Sequence, residues 1–206
     1  MRVRVFAVVV ASLTALGSVS GSAAPPERLV PCLACHGAEG RSQTLGVPSL
    51  GGQPSKYVLI QLFMFREGLR TAEPMNTLMK SWSDADLQTA ADFIATLPAP
   101  KPPLAPGDPA RFDRARGVVA DNHCNICHHT DFPGDDSVPH LADQREDYLS
   151  KTLHEYKTGT RRGYDATVAE VLQKVSDAQI ADIAYYLSHI PATPPSTKSA
   201  SPAASH

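Results

Sequence analysis

Leu87, Ala90, Ala91, Ile94 and Leu97 fall on one face at helical spacing, between Ser83 and Pro98. The pattern predicts an amphipathic helix that Ser83 caps and Pro98 stops. Later in the chain Ile180, Ile183, Ala184, Leu187 and Ile190 repeat the stripe between Ser176 and Pro191. Gln179 follows Ser176 at capping-box spacing. Residues 55–67 before Gly68, and 145–158 before Gly159, predict two middle helices that end at glycine. The stretch "DPARFDRARGVVADN" is long enough for one more helix, whereas "PPERLVP" leaves room for a single turn or none. No segment is strand-rich, so the predicted class is all-α.

The helical pattern recurs because the chain repeats itself. "CLACHG" at 32–37 matches "CNICHH" at 124–129, and "VPSLGGQ" at 47–53 matches "VPHLADQ" at 138–144. "KYVLIQL" at 56–62 matches "DYLSKTL" at 147–153, and the capped helices match as well, all at an offset of 91 to 93 residues. So long a period means two whole domains rather than solenoid units. The expected organisation is a leader at 1–24, a first domain at 25–98, a proline-rich linker at 99–108, a second domain at 109–191 and a low-complexity tail at 192–206. The leader has Arg2 and Arg4, an apolar run and small residues, the pattern of a secretory signal cleaved after Ala23 or Ala24. Its apolar run is shorter than the ~20 residues a membrane span needs. The mature protein is therefore expected in the periplasm with no spanning helix, peripheral contact with a membrane surface remaining open.

Charge adds little to this picture. The chain carries 19 Lys and Arg against 21 Asp and Glu, and loss of the leader moves the net charge from −2 to about −4. That balance speaks against nucleic acid and suits partners with basic docking patches.

The cysteines decide the chemistry. All four, Cys32, Cys35, Cys124 and Cys127, fall in two C-x-x-C pairs, each followed at once by His36 or His128. Disulfides or zinc would leave the trailing histidines as coincidence, and zinc needs four ligands where each motif offers three. C-x-x-C-H, twice over, reads as c-type haem attachment. Two thioether bonds would fix each porphyrin, with His36 and His128 as proximal iron ligands. Each domain alone is too small to bury much core, so the haem-free protein is expected to fold poorly. On the far side of the iron a Met thioether would raise the potential and leave no place for small molecules. Met75 and Met79 are the candidates in the first unit, and Met64 reads as a core residue.

The motifs "CLACHGAEG", "VPSLGGQPSKYVLIQL", "PMNTLM" and "SDADLQTAADFIATL" resemble a class I c-type cytochrome domain. Two such tandem domains joined by a short linker resemble the di-haem cytochrome c4 family, over about residues 27–191. The resemblance implies two covalently attached haem c groups and electron transfer between a respiratory donor or dehydrogenase and an oxidase or reductase. It implies Met75, eight residues before Ser83, as the sixth ligand of the first iron. It also implies that Pro48 and Pro139 present carbonyls to the proximal histidines. Arg70, and Arg161 or Arg162, are candidates to pair with haem propionates.

The second unit departs from the family pattern. Eight residues before Ser176 stands Val168, which cannot ligate iron. His154 on the middle helix is one substitute; His123, His129 and His140 are tied to the proximal side, and His189 is expected to be exposed. Alternatively the iron stays five-coordinate, walled by Val168 with Tyr156 or Tyr164, or takes Lys174 or water. An electron carrier with unequal haems is the favoured reading. A haem enzyme or ligand-binding protein is the alternative, with Asp165 as its one candidate acid–base group.

Overall fold

A computed structural model describes residues 26–101, 107–161 and 166–190. The expected signal peptide, the middle of the linker and the tail lie outside the described residues, as do Arg162, Tyr164 and Asp165. Among the described residues the chain is helical, and its only β feature is an isolated bridge between Asp135 and Val138.

The first repeat opens with a single 3₁₀ turn, Glu27–Leu29, which runs into α1 (Val30–His36). Pro31 suits the first turn of α1 because its missing N–H has no intrahelical acceptor there. Then come α2 (Ser55–Arg66), α3 (Met75–Met79) and α4 (Asp84–Ala95). The second repeat holds α5 (Pro109–Asp121), α6 (Cys124–His128), α7 (Glu146–Lys157), α8 (Thr167–Leu172) and α9 (Asp177–Leu187). The long helix α5 is the one that "DPARFDRARGVVADN" predicts. The short helices α3 and α8 are not foreshadowed by periodicity, since five or six residues are too few to show it.

Ser83 and Ser176 both form capping boxes, with Asp86 and Gln179 answering from the third helical position. Each box satisfies two N–H groups that the first helical turn leaves free. Gly68 (φ 68°) and Gly159 (φ 72°) follow α2 and α7 in the left-handed region, where a side chain would be strained.

The predicted stripes face two separate cores. In the first, Leu87, Ala90, Ala91, Ile94 and Leu97 pack with Leu29, Val58, Leu62, Phe65 and Met79. In the second, Ile180, Ile183, Ala184 and Leu187 pack with Val118, Val119, Phe132, Leu149, Leu172 and Val175. The helix α2 lies on α4 and α3, and α7 lies on α9 and α8 in the same way. The packing of α5 on α9 has no counterpart among the described residues of the first repeat.

Candidate functional site

Each cysteine motif sits on a short helix that ends at its histidine. Cys32, Cys35, Cys124 and Cys127 carry free thiols, Cys35 and Cys127 exposed and their partners half-buried. His36 is buried, and its Nδ1 lies 2.8 Å from the Pro48 carbonyl oxygen. A carbonyl only accepts, so Nδ1 carries the proton and the Nε2 lone pair stays free. His128 Nδ1 faces the Pro139 carbonyl at 3.4 Å, a longer bond. Burial pushes both imidazoles below their ordinary pKa, against the opposing carbonyl bonds, which keeps them neutral as metal binding requires.

After α1 the chain turns at Gly37 (φ 87°), where a Cβ would collide with the Arg41 carbonyl oxygen. His129 holds the matching place in the second repeat at φ 63°. The loop that follows is also left-handed at Asp131, Phe132 and Asp136, and Phe132 stands where the first repeat has Gly40 (φ 71°).

The methionines separate by burial. Met79 is 1% exposed in the first core, and Met64 is buried on α2. Met75 opens α3 half-buried, packed against the edge of that core. Val168 near the start of α8 is half-buried against the second core.

The histidines weighed as substitute ligands have other partners. His154 Nδ1 faces the Ser150 carbonyl at 2.7 Å, and its Nε2 lies 3.8 Å from Asp177. His140 is buried with Nδ1 on the Pro133 carbonyl and Nε2 unpartnered. His123 and His129 are exposed. The expectation that His189 is exposed is corrected. It is half-buried, stacked on Tyr185 with ring centroids 4.1 Å apart and bonded to the Tyr185 carbonyl, because the ring covers the end of α9 beside Phe112. Lys174 is exposed just beyond α8.

The arginines meet between the repeats. Arg70 bonds Gln61 Oε1 at 2.7 Å and lies over the Phe65 ring. Arg161 is buried, bonds Thr152 and lies over the Tyr156 ring. Both also reach the Tyr148 hydroxyl. The Nε of Arg161 is buried with no partner, a donor left for an anion. Tyr57, the counterpart of Tyr148, is pushed up to about 12 by burial. Sequence reading passed over Tyr57 and Tyr148, and equally Gln53 and Gln144, although both pairs stand in the matched motifs.

Free thiol pairs, an adjoining imidazole with one nitrogen free and an unpartnered buried guanidinium nitrogen suit covalent haem with its propionates. Among the described residues no cluster of three or more His, Cys, Asp or Glu offers a site for a bare metal ion.

Known proteins agree with that chemistry. The cytochrome c family profile matches residues 29–98 and 112–191. Cytochrome c4 of Pseudomonas aeruginosa is 32% identical over 187 residues, covering 85% of this chain and 92% of its own length. A thiosulfate dehydrogenase electron acceptor of Thiomonas intermedia is 34% identical, covering 93% of each chain. The crystal structure of reduced recombinant cytochrome c4 from Pseudomonas stutzeri superposes with a TM-score of 0.71 at 25% identity, over 79% of this chain and 95% of that one.

Proposed function

This chain belongs to the di-haem cytochrome c4 family, carries two covalently bound haem c groups and transfers electrons, and from that premise we propose that it is a periplasmic carrier whose haems are ligated unequally. Haem iron supplies the chemistry, taking up and releasing one electron at a time. Cys32 and Cys35, then Cys124 and Cys127, tether the two groups, with His36 and His128 as proximal ligands. Pro48 and Pro139 hold those imidazoles in one tautomer and orientation, which sets how strongly each donates to iron. Arg70 and Arg161 neutralise propionates, and Tyr156 lines the second haem. Met75 closes the distal side of the first iron; Met79, almost fully buried, packs.

The observation that carries the inequality is Val168, which stands where the pattern calls for a sulfur ligand, on a helix otherwise matched to α3. With both nitrogens of His154 turned to Ser150 and Asp177, an open or weakly ligated second iron is the reading the geometry favours. Carbon monoxide added to the reduced protein tests it: uptake of about one equivalent per chain is expected, and no uptake overturns it.

The electron donor we propose is a soluble dehydrogenase of small sulfur substrates, on the likeness to the acceptor from Thiomonas intermedia. Among the described residues no helix is long and apolar enough to cross a membrane, which suits docking to such an enzyme. Reduction of the purified cytochrome by a thiosulfate dehydrogenase and its substrate is the direct assay. A rate no faster than with substrate alone removes this donor.

A further inference from the structure

Gln53 and Gln144 stand at equivalent positions of the two repeats, and each inserts its buried side chain into the other repeat. Gln144 Oε1 accepts from Ser49 N–H at 2.8 Å, and Gln144 Nε2 donates to the Ser49 carbonyl at 2.8 Å. Gln53 does the same to His140, accepting from its N–H at 3.2 Å and donating to its carbonyl at 2.7 Å. One N–H and one C=O on each target fix the amide orientation without ambiguity.

The targets matter because of what precedes them. Ser49 N–H belongs to the same peptide group as the Pro48 carbonyl, which accepts from His36 Nδ1–H. His140 N–H belongs to the same peptide group as the Pro139 carbonyl, which faces His128 Nδ1. A single amide plane therefore joins the proximal imidazole of one repeat to the glutamine of the other. An amide whose N–H donates is polarised, and its oxygen becomes a better acceptor, by roughly 10–30% per bond in a hydrogen-bonded chain. A stronger acceptor draws the Nδ1 proton, makes the imidazole a stronger donor to iron, and favours the oxidised state.

We infer that Gln144 and Gln53 are crossed positioning residues, each tuning the reduction potential of the haem in the opposite repeat through the Pro48–Ser49 and Pro139–His140 peptide groups. The inference rests on His36 and His128 being the proximal ligands. The chain through Gln144 is the tighter, with 2.8 Å at both bonds against 3.4 and 3.2 Å through Gln53. Haem 1 is therefore the more sensitive to its partner's glutamine.

The test is spectroelectrochemistry of the di-haem protein with Gln144→Met and Gln53→Met, which keep length and lose both bonds. Gln144→Met should raise the potential of haem 1 by at least threefold in redox equilibrium, about 28 mV at 59 mV per tenfold for one electron. Haem 2 should stay within a third of that shift, and Gln53→Met should show the reverse pattern, smaller. Asp136→Ser breaks the inter-repeat ion pair with Lys56 and should move neither haem. Shifts in the variant's own repeat, equal shifts in both haems, no shift, or an equal shift with Asp136→Ser overturn the inference. Should Gln144→Met fail to fold, Gln144→Glu keeps an oxygen for Ser49 N–H and should hold haem 1 at or below its unmodified potential; a rise overturns the inference. Proton resonance separates the two readings. A strongly shifted His36 Nδ1–H in the unmodified protein identifies the ligand, and its absence would reject the ligation itself.

Discussion

Arg70 of the first repeat donates from Nη2 to the Tyr148 hydroxyl of the second at 3.2 Å, and Arg161 donates to the same oxygen at the same distance. Burial alone would push the Tyr148 phenol up. The Arg161 and Arg70 guanidiniums together outweigh it and hold the group below the ordinary tyrosine value. One hydroxyl therefore serves a buried cation, Arg161, and a half-buried one, Arg70, and ties α7 to the segment that follows α2. Tyr148→Phe leaves both guanidiniums short of an acceptor. It should lower unfolding free energy by about 1.5–3 kcal/mol, read from denaturant midpoints of the haem-loaded protein.

Met75 and Met79 should separate cleanly under substitution. Met75→Ala should abolish the weak far-red absorption of a thioether–iron bond and open the first haem to carbon monoxide. Met79→Ala should keep that band and lower stability by about 2–5 kcal/mol, the range for truncating a buried side chain. Loss of the band in Met79→Ala alone would reverse the two roles.

Val168→Met places a thioether at the matching position of the second repeat. It should add a second far-red band, raise the potential of haem 2 and suppress carbon monoxide uptake. The added bulk against the second core should cost about 1–3 kcal/mol. Uptake that persists unchanged would mean the binding face of haem 2 lies away from α8.

Asp143 shows a pH dependence whose sign can be worked out. Its carboxyl is buried with Oδ2 unpartnered, and burial pushes it up to about 6 against the opposing pull of Arg41. The folded state thus keeps a proton that the unfolded chain has released above about pH 4. Stability from this group is full below that pH and falls as pH rises through about 6. Asp143→Asn should therefore raise the unfolding midpoint at neutral pH, and the gain should vanish near pH 4. Asp143→Gly should add a gain of about 1 kcal/mol at either pH, because Asp143 is left-handed (φ 55°) where Gly52 (φ 73°) stands in the first repeat.

Much of this could be read before any fold was known. The stripe behind Ser83 and the stripe behind Ser176 depend only on neighbours within one helix, and both helices form where the serines place them. The cysteine pairs with their histidines are likewise local, because covalent attachment needs residues a fixed few positions apart. The turn residues Gly68 and Gly159 end the helices that the spacing assigns to them.

The short helices α3 and α8 were not legible, and neither was the surroundings of His189, which sits against Phe112 and Tyr185 rather than in solvent. A segment of five or six residues takes its form from what it packs on, and a terminal ring's burial depends on a helix far back in the chain. His154 shows the same limit: its place on α7 was legible, but its turn towards Ser150 and Asp177 was not.

The sequence by itself determined a duplicated all-helical chain and the placing of its two C-x-x-C-H motifs, because helix periodicity, capping and motif spacing act over a few residues. Tertiary structure alone decided that Gln144 reaches Ser49, that Gln53 reaches His140 and that two arginines share Tyr148. The two glutamine contacts and Arg70–Tyr148 join residues 78 to 95 positions apart in the chain. They exist only where two folded surfaces meet, and each buried glutamine amide must find its partner across that surface or lose its hydrogen bonds to water without replacement.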